Sequence, residues 1–200
     1  LTLIIILIVG AYLVGSIPVG VLIGRMKGFD PRAVGSGNIG MTNVGRAGGK
    51  EAAALTFSGD LLKGAIPVLA ARTLSADPRI IAIVGFAAFI GSIASIFLGF
   101  QGGRGVSASL GVWLALAPAT IGIALGVFVV IFAITRTVSM ASICASIALP
   151  PAAAAMGLPR PYILLAIVMA ALVVLRHREN ISRLIRGEEQ SYKAAQRRGN

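Results

Sequence analysis

The sequence feature that most constrains the fold is a series of apolar runs, each close to the length of a membrane-spanning helix. They lie at residues 3–23, 52–71, 80–98, 106–134, 138–156 and 161–175. About 20 apolar residues in a helix cross the hydrocarbon core of a bilayer. Charged residues make up only 12% of the chain, against about 25% in an average soluble domain. We therefore predict an all-α, polytopic integral membrane protein, a helical bundle that occupies residues 1–200 as a single domain.

The positions of Lys and Arg between the runs predict the topology, because positive residues collect on the cytoplasmic side. Residues 24–51 carry five of them and residues 176–200 carry seven. One helix over 106–134 would place these two segments on opposite sides, whereas two short helices divided at Pro118 place both inside. We predict about seven membrane helices, some of them short, with the N-terminus outside and the C-terminus cytoplasmic. Five spans with a re-entrant hairpin give the same sidedness.

The net charge of +11 has two interpretations. In a soluble protein it would suggest nucleic acid, but basic loops that orient membrane helices explain it better. The single cysteine, Cys144, excludes a disulfide within the chain, and no His, Cys and carboxylate cluster indicates a metal. We expect no metal, no cofactor, no nucleic-acid partner and no obligatory protein partner. The polar stretch 188–200 is predicted to fray.

A glycine-rich segment between the first two runs has the composition of a phosphate-binding loop. Residues 35–46 read Gly-Ser-Gly-Asn-Ile-Gly-Met-Thr-Asn-Val-Gly-Arg. Glycines let backbone N–H groups approach an anion, and Arg46 adds a forked charge. The segment is neither a P-loop nor a dinucleotide fingerprint, because no Gly-Lys-Ser/Thr follows and no strand precedes it. We favour anion binding over the flexible interhelical loop that glycines alone would allow.

A shorter basic turn, Gly102-Gly103-Arg104-Gly105, precedes a helix predicted to begin near Val106. A helix N-terminus after such a turn favours an anion. A tight re-entry turn between two membrane segments would have the same sequence, so the turn by itself leaves both interpretations open.

Asp60, Lys63 and His177 are further candidate residues within or beside the apolar runs. Asp60 and Lys63 are three residues apart inside the second run, where ionised side chains are costly and often functional. A structural pair that neutralises itself is the slightly favoured interpretation. His177 is the only histidine and directly follows the last run, flanked by arginines. A helix through this segment would place His177 and Asn180 on one side, although an interfacial histidine explains the segment as well.

Six motifs occur along the chain in the order in which one membrane enzyme family has them. The motifs are Gly15-Ser-Ile-Pro-Val-Gly20, the glycine-rich residues 35–43, Asp60-Leu-Leu-Lys-Gly64, Gly102-Gly-Arg-Gly-Val106, Ser139-Met-Ala-Ser142 and Arg176-His-Arg-Glu-Asn-Ile181. On these motifs the chain resembles, over nearly its whole length, the PlsY family, the bacterial acyl-phosphate:glycerol-3-phosphate acyltransferases.

The resemblance implies the first step of bacterial phospholipid synthesis. An acyl chain would move from acyl phosphate to the 1-hydroxyl of sn-glycerol 3-phosphate, giving lysophosphatidate and phosphate. The implied location is the bacterial inner membrane, in a multi-pass protein with a cytoplasmic active site. Both substrates and the lipid bilayer are the expected partners. The 176–181 segment departs from the His-x4-Asp motif of many glycerolipid acyltransferases, since Ser182 stands where that motif has Asp.

The resemblance also implies a set of site residues. For the acyl-phosphate head group these are Gly35, Ser36, Gly37, Asn38, Gly40, Thr42 and Asn43, and for glycerol 3-phosphate Arg46, Gly102, Gly103, Arg104, Gly105, His177 and Asn180. His177, Ser36 and Asn180 are the expected catalytic residues, and Asp60, Lys63 and Ser142 are expected to support them. The base that removes the hydroxyl proton is either His177 or a phosphate oxygen of a substrate.

Two departures from the family pattern concern the site. Arg104 and Ser92 stand where the family commonly has Lys and His. Arginine keeps the charge but replaces a point donor with a planar fork. Two other functions remain open: a small-anion transporter, which glycine-rich breaks and half-length helices suit but which the lack of an inverted repeat disfavours, and an acyltransferase that uses acyl-CoA or acyl carrier protein.

Overall fold

The computed structural model describes residues 1–189, and all regular structure in this range is helical. The chain forms two compact units, residues 1–116 and the residues from Ala117 onward. The first unit holds α1 (Thr2–Ser16), α2 (Val19–Met26), α3 (Met41–Leu74), α4 (Pro78–Ile93) and α5 (Val106–Leu116). The second holds α6 (Pro118–Thr135), α7 (Val138–Ala155), α8 (Arg160–Arg176) and α9 (Arg178–Ile185). The single domain over 1–200 stays a prediction.

Several helices are long and apolar enough to cross a membrane. Five segments qualify outright: Thr2–Met26, Met41–Leu74, Pro78–Leu98, Pro118–Thr135 and Val138–Ala155. The pair α8 and α9, bent by 58°, makes a sixth, and α5 is apolar but has only 11 residues. At 1.5 Å per residue, α5 would reach across roughly half of the hydrocarbon core. The multi-span all-α class is confirmed, whereas the sidedness of the termini stays a prediction.

Proline residues begin α4 and α6, and the start of α6 confirms that the long apolar run at residues 106–134 is divided. α5 ends at Leu116 and α6 begins at Pro118. Pro78 likewise occupies the first turn of α4, where Asp77 caps the helix by accepting a hydrogen bond from the Arg79 N–H at 2.8 Å. Proline suits this position because its missing N–H would have no helical partner there.

Helix α3 begins well before the apolar run predicted at residues 52–71. α3 begins at Met41 and continues past a break at Gly49, whose φ of 81° is open to glycine at little cost. The glycines of residues 35–46 suggested an open loop, although the helix already begins at Met41. As a result, Thr42, Asn43 and Arg46 lie on the first turns of a helix rather than in an open loop.

Small residues bring the helices of the first unit into close contact. A Cβ built on Gly111 of α5 would meet the carbonyl of Leu61 in α3, and one on Gly64 of α3 would meet the carbonyl of Ala108 in α5. The same holds between α1 and α4, where Gly15 faces the backbone of Ala88. Close backbone approach at small residues is the usual way in which membrane helices associate.

The intramembrane charges form one structural cluster in the first unit. The Lys63 ammonium lies 2.8 Å from Asp60 Oδ1 and donates to the Ile17 carbonyl at 2.9 Å. Ile17 lies at the break between α1 and α2, where interruption of the helix leaves carbonyls without helical partners. Lys63 therefore ties α3 to this break, which is the arrangement expected of a structural pair.

Candidate active site

A single buried side chain organises the glycine-rich loop of the first unit. Asn43 is 2% exposed. Its Oδ1 accepts from the Ser36 N–H at 3.0 Å, and its Nδ2 donates to the carbonyls of Pro31 at 2.7 Å and of Val34 and Asn38, both at 2.9 Å. The sequence suggested Asn43 as a direct ligand of a head group. Its amide instead holds the loop together, because all its polar atoms are used within the loop.

The donors that remain near the loop belong mainly to the start of α3. Gly40 is the residue before α3, and no side chain caps that end. The first N–H groups of a helix have no partner within the helix and carry a partial positive charge. The Gly37 and Gly40 N–H groups already donate to the Val34 carbonyl and to Asn38 Oδ1. At the start of α3 the N–H groups of Met41 and Thr42, beside the exposed Ser36, are therefore available to an anion.

The second glycine turn lies directly against the first loop. A Cβ built on Gly103 would be 3.7 Å from Asn38 Oδ1 and 3.7 Å from the Ile39 side chain. The Gly103 N–H donates to the Ser92 carbonyl at 3.1 Å, which fixes the turn on the end of α4. The structure thus brings together residues 35–43 and 102–105, and it places the starts of α3 and α5 near them.

Ser92 occupies the position where the resemblance would place a histidine. Its hydroxyl donates to the Phe89 carbonyl at 2.6 Å, within its own helix, and the side chain is buried. Ser92 therefore contacts the site through its backbone carbonyl, which accepts the hydrogen bond from the Gly103 N–H.

The side chain of Arg46 lies beside the first loop. A Cβ on Gly35 would lie 4.0 Å from Arg46 Cδ. Among the described residues, nothing accepts a hydrogen bond from the buried Arg46 Nε. A buried guanidinium N–H without an acceptor is costly, so this atom is well suited to an anionic ligand.

Asp30 and Arg32, at the edge of the loop, form a local pair. The Arg32 guanidinium and backbone N–H both donate to the Asp30 carboxylate, and they lower its pKa to about 2. The Asp30 carboxylate is therefore ionised and already paired at neutral pH. Its charge is largely balanced and does not oppose a phosphate.

The second unit has its own polar cluster, at the bend between α8 and α9. The helix considered through residues 176–181 is interrupted at His177, because α8 ends at Arg176 and α9 starts at Arg178, with a bend of 58° between them. His177 is 2% exposed and its Nδ1 lies 2.7 Å from the Val173 carbonyl. A carbonyl oxygen can only accept, so Nδ1 carries a proton and a neutral ring has its lone pair on Nε2.

Glu189 completes this cluster and was missed by sequence reasoning. Its Oε1 accepts from Ser139 Oγ at 2.7 Å and from Asn180 Nδ2 at 2.6 Å, and its Oε2 accepts from Arg183 Nε at 2.7 Å. Burial alone would raise the pKa of Glu189, but these hydrogen bonds outweigh it and the pKa is lowered. The prediction that residues 188–200 fray is thus wrong for Glu189, while residues 190–200 lie outside the described range.

The remaining predicted residue, Ser142, is buried in α7. Its hydroxyl donates to the Val138 carbonyl at 2.8 Å, one turn earlier in the helix. No group of three His, Cys, Asp or Glu side chains that could hold a metal occurs within residues 1–189.

Apolar helices of spanning length define a multi-span membrane protein, and glycine-rich loops with a buried cationic donor at the helix ends form a candidate anion site. Comparison with known proteins identifies the family. The glycerol-3-phosphate acyltransferase family matches residues 5–187, and the chain belongs to this family of membrane enzymes.

Relatives and solved structures agree over almost the whole chain. The glycerol-3-phosphate acyltransferase of Geobacter sulfurreducens is 50% identical over 186 residues, which cover 92% of this chain and 95% of the relative. That of Rubrobacter xylanophilus is 45% identical and covers 94% of each chain. Crystal structures of the integral membrane acyltransferase PlsY in its glycerol 3-phosphate and lysophosphatidic acid forms have TM-scores of 0.90 and 0.88, at 42% and 41% identity, and 94% of each chain is covered.

Proposed function

We propose that this glycerol-3-phosphate acyltransferase takes its acyl group from acyl phosphate. The 1-hydroxyl oxygen of glycerol 3-phosphate attacks the acyl carbonyl carbon. A C–O ester bond forms, the C–O bond to phosphate breaks, inorganic phosphate leaves, and the hydroxyl proton passes to a base. The observation that carries the proposal is the phosphate cradle of the first unit: the exposed loop held by Asn43, beside the uncapped start of α3 and the turn at residues 102–105.

Acyl phosphate suits this cradle because its leaving group needs little activation. The work left to the enzyme is positioning and charge stabilisation. Backbone N–H groups and arginines supply both. Ser36 and the start of α3 bind the acyl-phosphate head group, with Asn43 as the positioning residue of the loop. Arg46 and Arg104 bind phosphate oxygens, and each supplies a fork of donors.

Within the second unit, His177 and Asn180 act on glycerol 3-phosphate. The hydrogen bond from His177 Nδ1 to the Val173 carbonyl leaves the lone pair of a neutral ring on Nε2, the form that can accept a proton. The rival base is a phosphate oxygen of a substrate. Turnover of His177→Ala at saturating substrates separates the two: kcat lowered at least about 100-fold supports the base, and kcat retained with a raised KM makes His177 a binding residue.

The donor is tested by supplying palmitoyl phosphate, palmitoyl-CoA and palmitoyl-acyl carrier protein in parallel to the purified protein with glycerol 3-phosphate. Formation of lysophosphatidate is followed in each arm. We expect product with palmitoyl phosphate alone. Product from either thioester, with none from palmitoyl phosphate, would overturn the proposed donor.

The protein lies in the bacterial inner membrane with its active site facing the cytoplasm. The support is the charge asymmetry of the loops, which places the segment around Ala33 inside and the turn at Ala76 outside. Ala33→Cys and Ala76→Cys, each in a Cys144→Ala background, test this with a membrane-impermeant maleimide. We expect labelling of Ala33→Cys only in inverted vesicles and of Ala76→Cys only in spheroplasts; the reverse pattern would contradict the topology.

A further inference from the structure

The carboxylate of Glu189 lies at the centre of the polar cluster in the second unit. The three donors that it binds come from two elements: Ser139 at the start of α7, and Asn180 and Arg183 on α9. The Glu189 side chain is 11% exposed. Three donors on one mostly buried carboxylate make charge-assisted hydrogen bonds, which are stronger than neutral ones. Glu189 therefore fixes side chains that belong to two of the six motifs.

The consequence of this contact for Asn180 follows from the chemistry of its amide. An ionised carboxylate only accepts hydrogen bonds, so the amide nitrogen of Asn180 must face Glu189. The amide oxygen then faces the opposite way. Asn180 is 3% exposed, and among the described residues its Oδ1 accepts no hydrogen bond. A buried carbonyl oxygen without a donor is unfavourable unless a ligand supplies one.

The chemistry of Oδ1 decides which part of a substrate it can meet. A phosphate at neutral pH presents mainly acceptor oxygens, and an amide oxygen repels them. The hydroxyl groups of glycerol 3-phosphate are donors. Asn180 Oδ1 therefore suits the glycerol part of this substrate rather than its phosphate group.

We infer that Glu189 is a positioning residue for glycerol 3-phosphate: it holds the Asn180 amide so that Oδ1 accepts a hydrogen bond from a hydroxyl of this substrate. The inference rests on the proposed function, since it needs glycerol 3-phosphate at this cluster. Glu189 does not touch the substrate. Its loss lets the Asn180 amide rotate and removes the fixed acceptor.

Glu189→Gln tests the inference, and Glu188→Gln is the matched control. Glu188 is the neighbouring carboxylate and pairs with Arg186 at 2.9 Å on the exposed surface. We expect Glu189→Gln to raise the KM for glycerol 3-phosphate about tenfold and to leave the KM for palmitoyl phosphate within about twofold. Glu188→Gln should leave both unchanged. An unchanged KM for glycerol 3-phosphate, or an equal rise for both substrates, would overturn the inference.

A second readout separates positioning from a purely structural role. n-Propyl phosphate has the phosphate of the substrate but neither hydroxyl, so Oδ1 cannot recognise it. We expect its inhibition constant to be the same in wild type and Glu189→Gln. Weaker inhibition by the same factor as the KM change would show a general loss of the site and overturn the inference.

A milder variant keeps the test open if Glu189→Gln does not fold. Ser139→Ala removes one donor from Oε1 and leaves the carboxylate in place. We expect a rise of about threefold in the KM for glycerol 3-phosphate only, and no change would contradict the inference. Failure of the proposed function is recognised separately, because the wild-type protein would then form no lysophosphatidate.

Discussion

The replacement Asn43→Ala is expected to unfold the glycine-rich loop while the membrane helices stay intact. The side chain makes four hydrogen bonds, to the Ser36 N–H and to the carbonyls of Pro31, Val34 and Asn38. Three of these bonds join α3 to residues that precede Asn38. Alanine cannot replace any of them.

The size of the effect follows from the surroundings of the four bonds. The bond to the Pro31 carbonyl is buried and the other three are partly buried. A buried carbonyl that loses its donor costs about 1–3 kcal/mol, whereas partly exposed groups regain water and lose about 0.5 kcal/mol each. The loop should lose about 2.5–4.5 kcal/mol of stability, which corresponds to about a 60- to 1,600-fold change in the equilibrium constant between its ordered and disordered states.

The assay is the steady-state rate of lysophosphatidate formation, together with hydrogen exchange of the backbone amides between Pro31 and Gly40. We expect faster exchange in this segment and a fall of at least about 30-fold in kcat/KM for palmitoyl phosphate. Thr73→Ala is the control, since it removes an exposed hydroxyl hydrogen bond from the other end of α3. Normal exchange and activity in Asn43→Ala would refute the role assigned to this side chain.

Three further predictions concern helix packing and charge. Lys63→Met leaves the Asp60 carboxylate without its partner, and we expect thermal unfolding to show a free energy of unfolding lowered by about 3–5 kcal/mol. Lys63→Met combined with Asp60→Asn should recover part of this stability, and no recovery would contradict the pairing. Gly111→Ala places a methyl group against the Leu61 carbonyl, so a loss of about 1–3 kcal/mol is expected in the same measurement, and an unchanged melting temperature would contradict the close approach. The pKa of Glu189 is lowered on folding, so the stabilisation that its carboxylate provides is complete above the unfolded pKa and is lost as pH falls through the folded pKa. The difference in melting temperature between wild type and Glu189→Gln should therefore be constant from pH 6 to 8 and shrink below about pH 4.5. A difference that grows on acidification would refute this.

The helices could be predicted from the sequence because their causes are local. Apolar runs of sufficient length demand helices in a bilayer, and Pro118 marks a boundary by removing a backbone donor. The charge of the loops by itself predicts the division of the longest run, because an undivided helix would put the two most basic segments on opposite sides. The composition of residues 35–46 likewise indicates an anion site, which the position of the loop beside Gly103 supports.

The features that the sequence did not predict depend on contacts between residues that are not neighbours along the chain. Asn43 looked like one donor among several, and only the fold shows that its amide is used up by three carbonyls and one N–H. Glu189 looked like part of a polar tail, because its hydrogen bond to Ser139 joins residues 50 positions apart. The bend at His177 carries no glycine or proline at the site itself. Such features follow from tertiary packing rather than from local pattern.

Phosphate release from palmitoyl phosphate by the purified wild-type protein, measured with and without glycerol 3-phosphate, tests the proposed acyl transfer directly. We expect release that requires glycerol 3-phosphate, with one phosphate set free for each lysophosphatidate formed. That result would also show that Arg104 serves where lysine is common in the family. Phosphate release that does not depend on glycerol 3-phosphate, or no release from folded protein, would contradict acyl transfer from acyl phosphate to glycerol 3-phosphate.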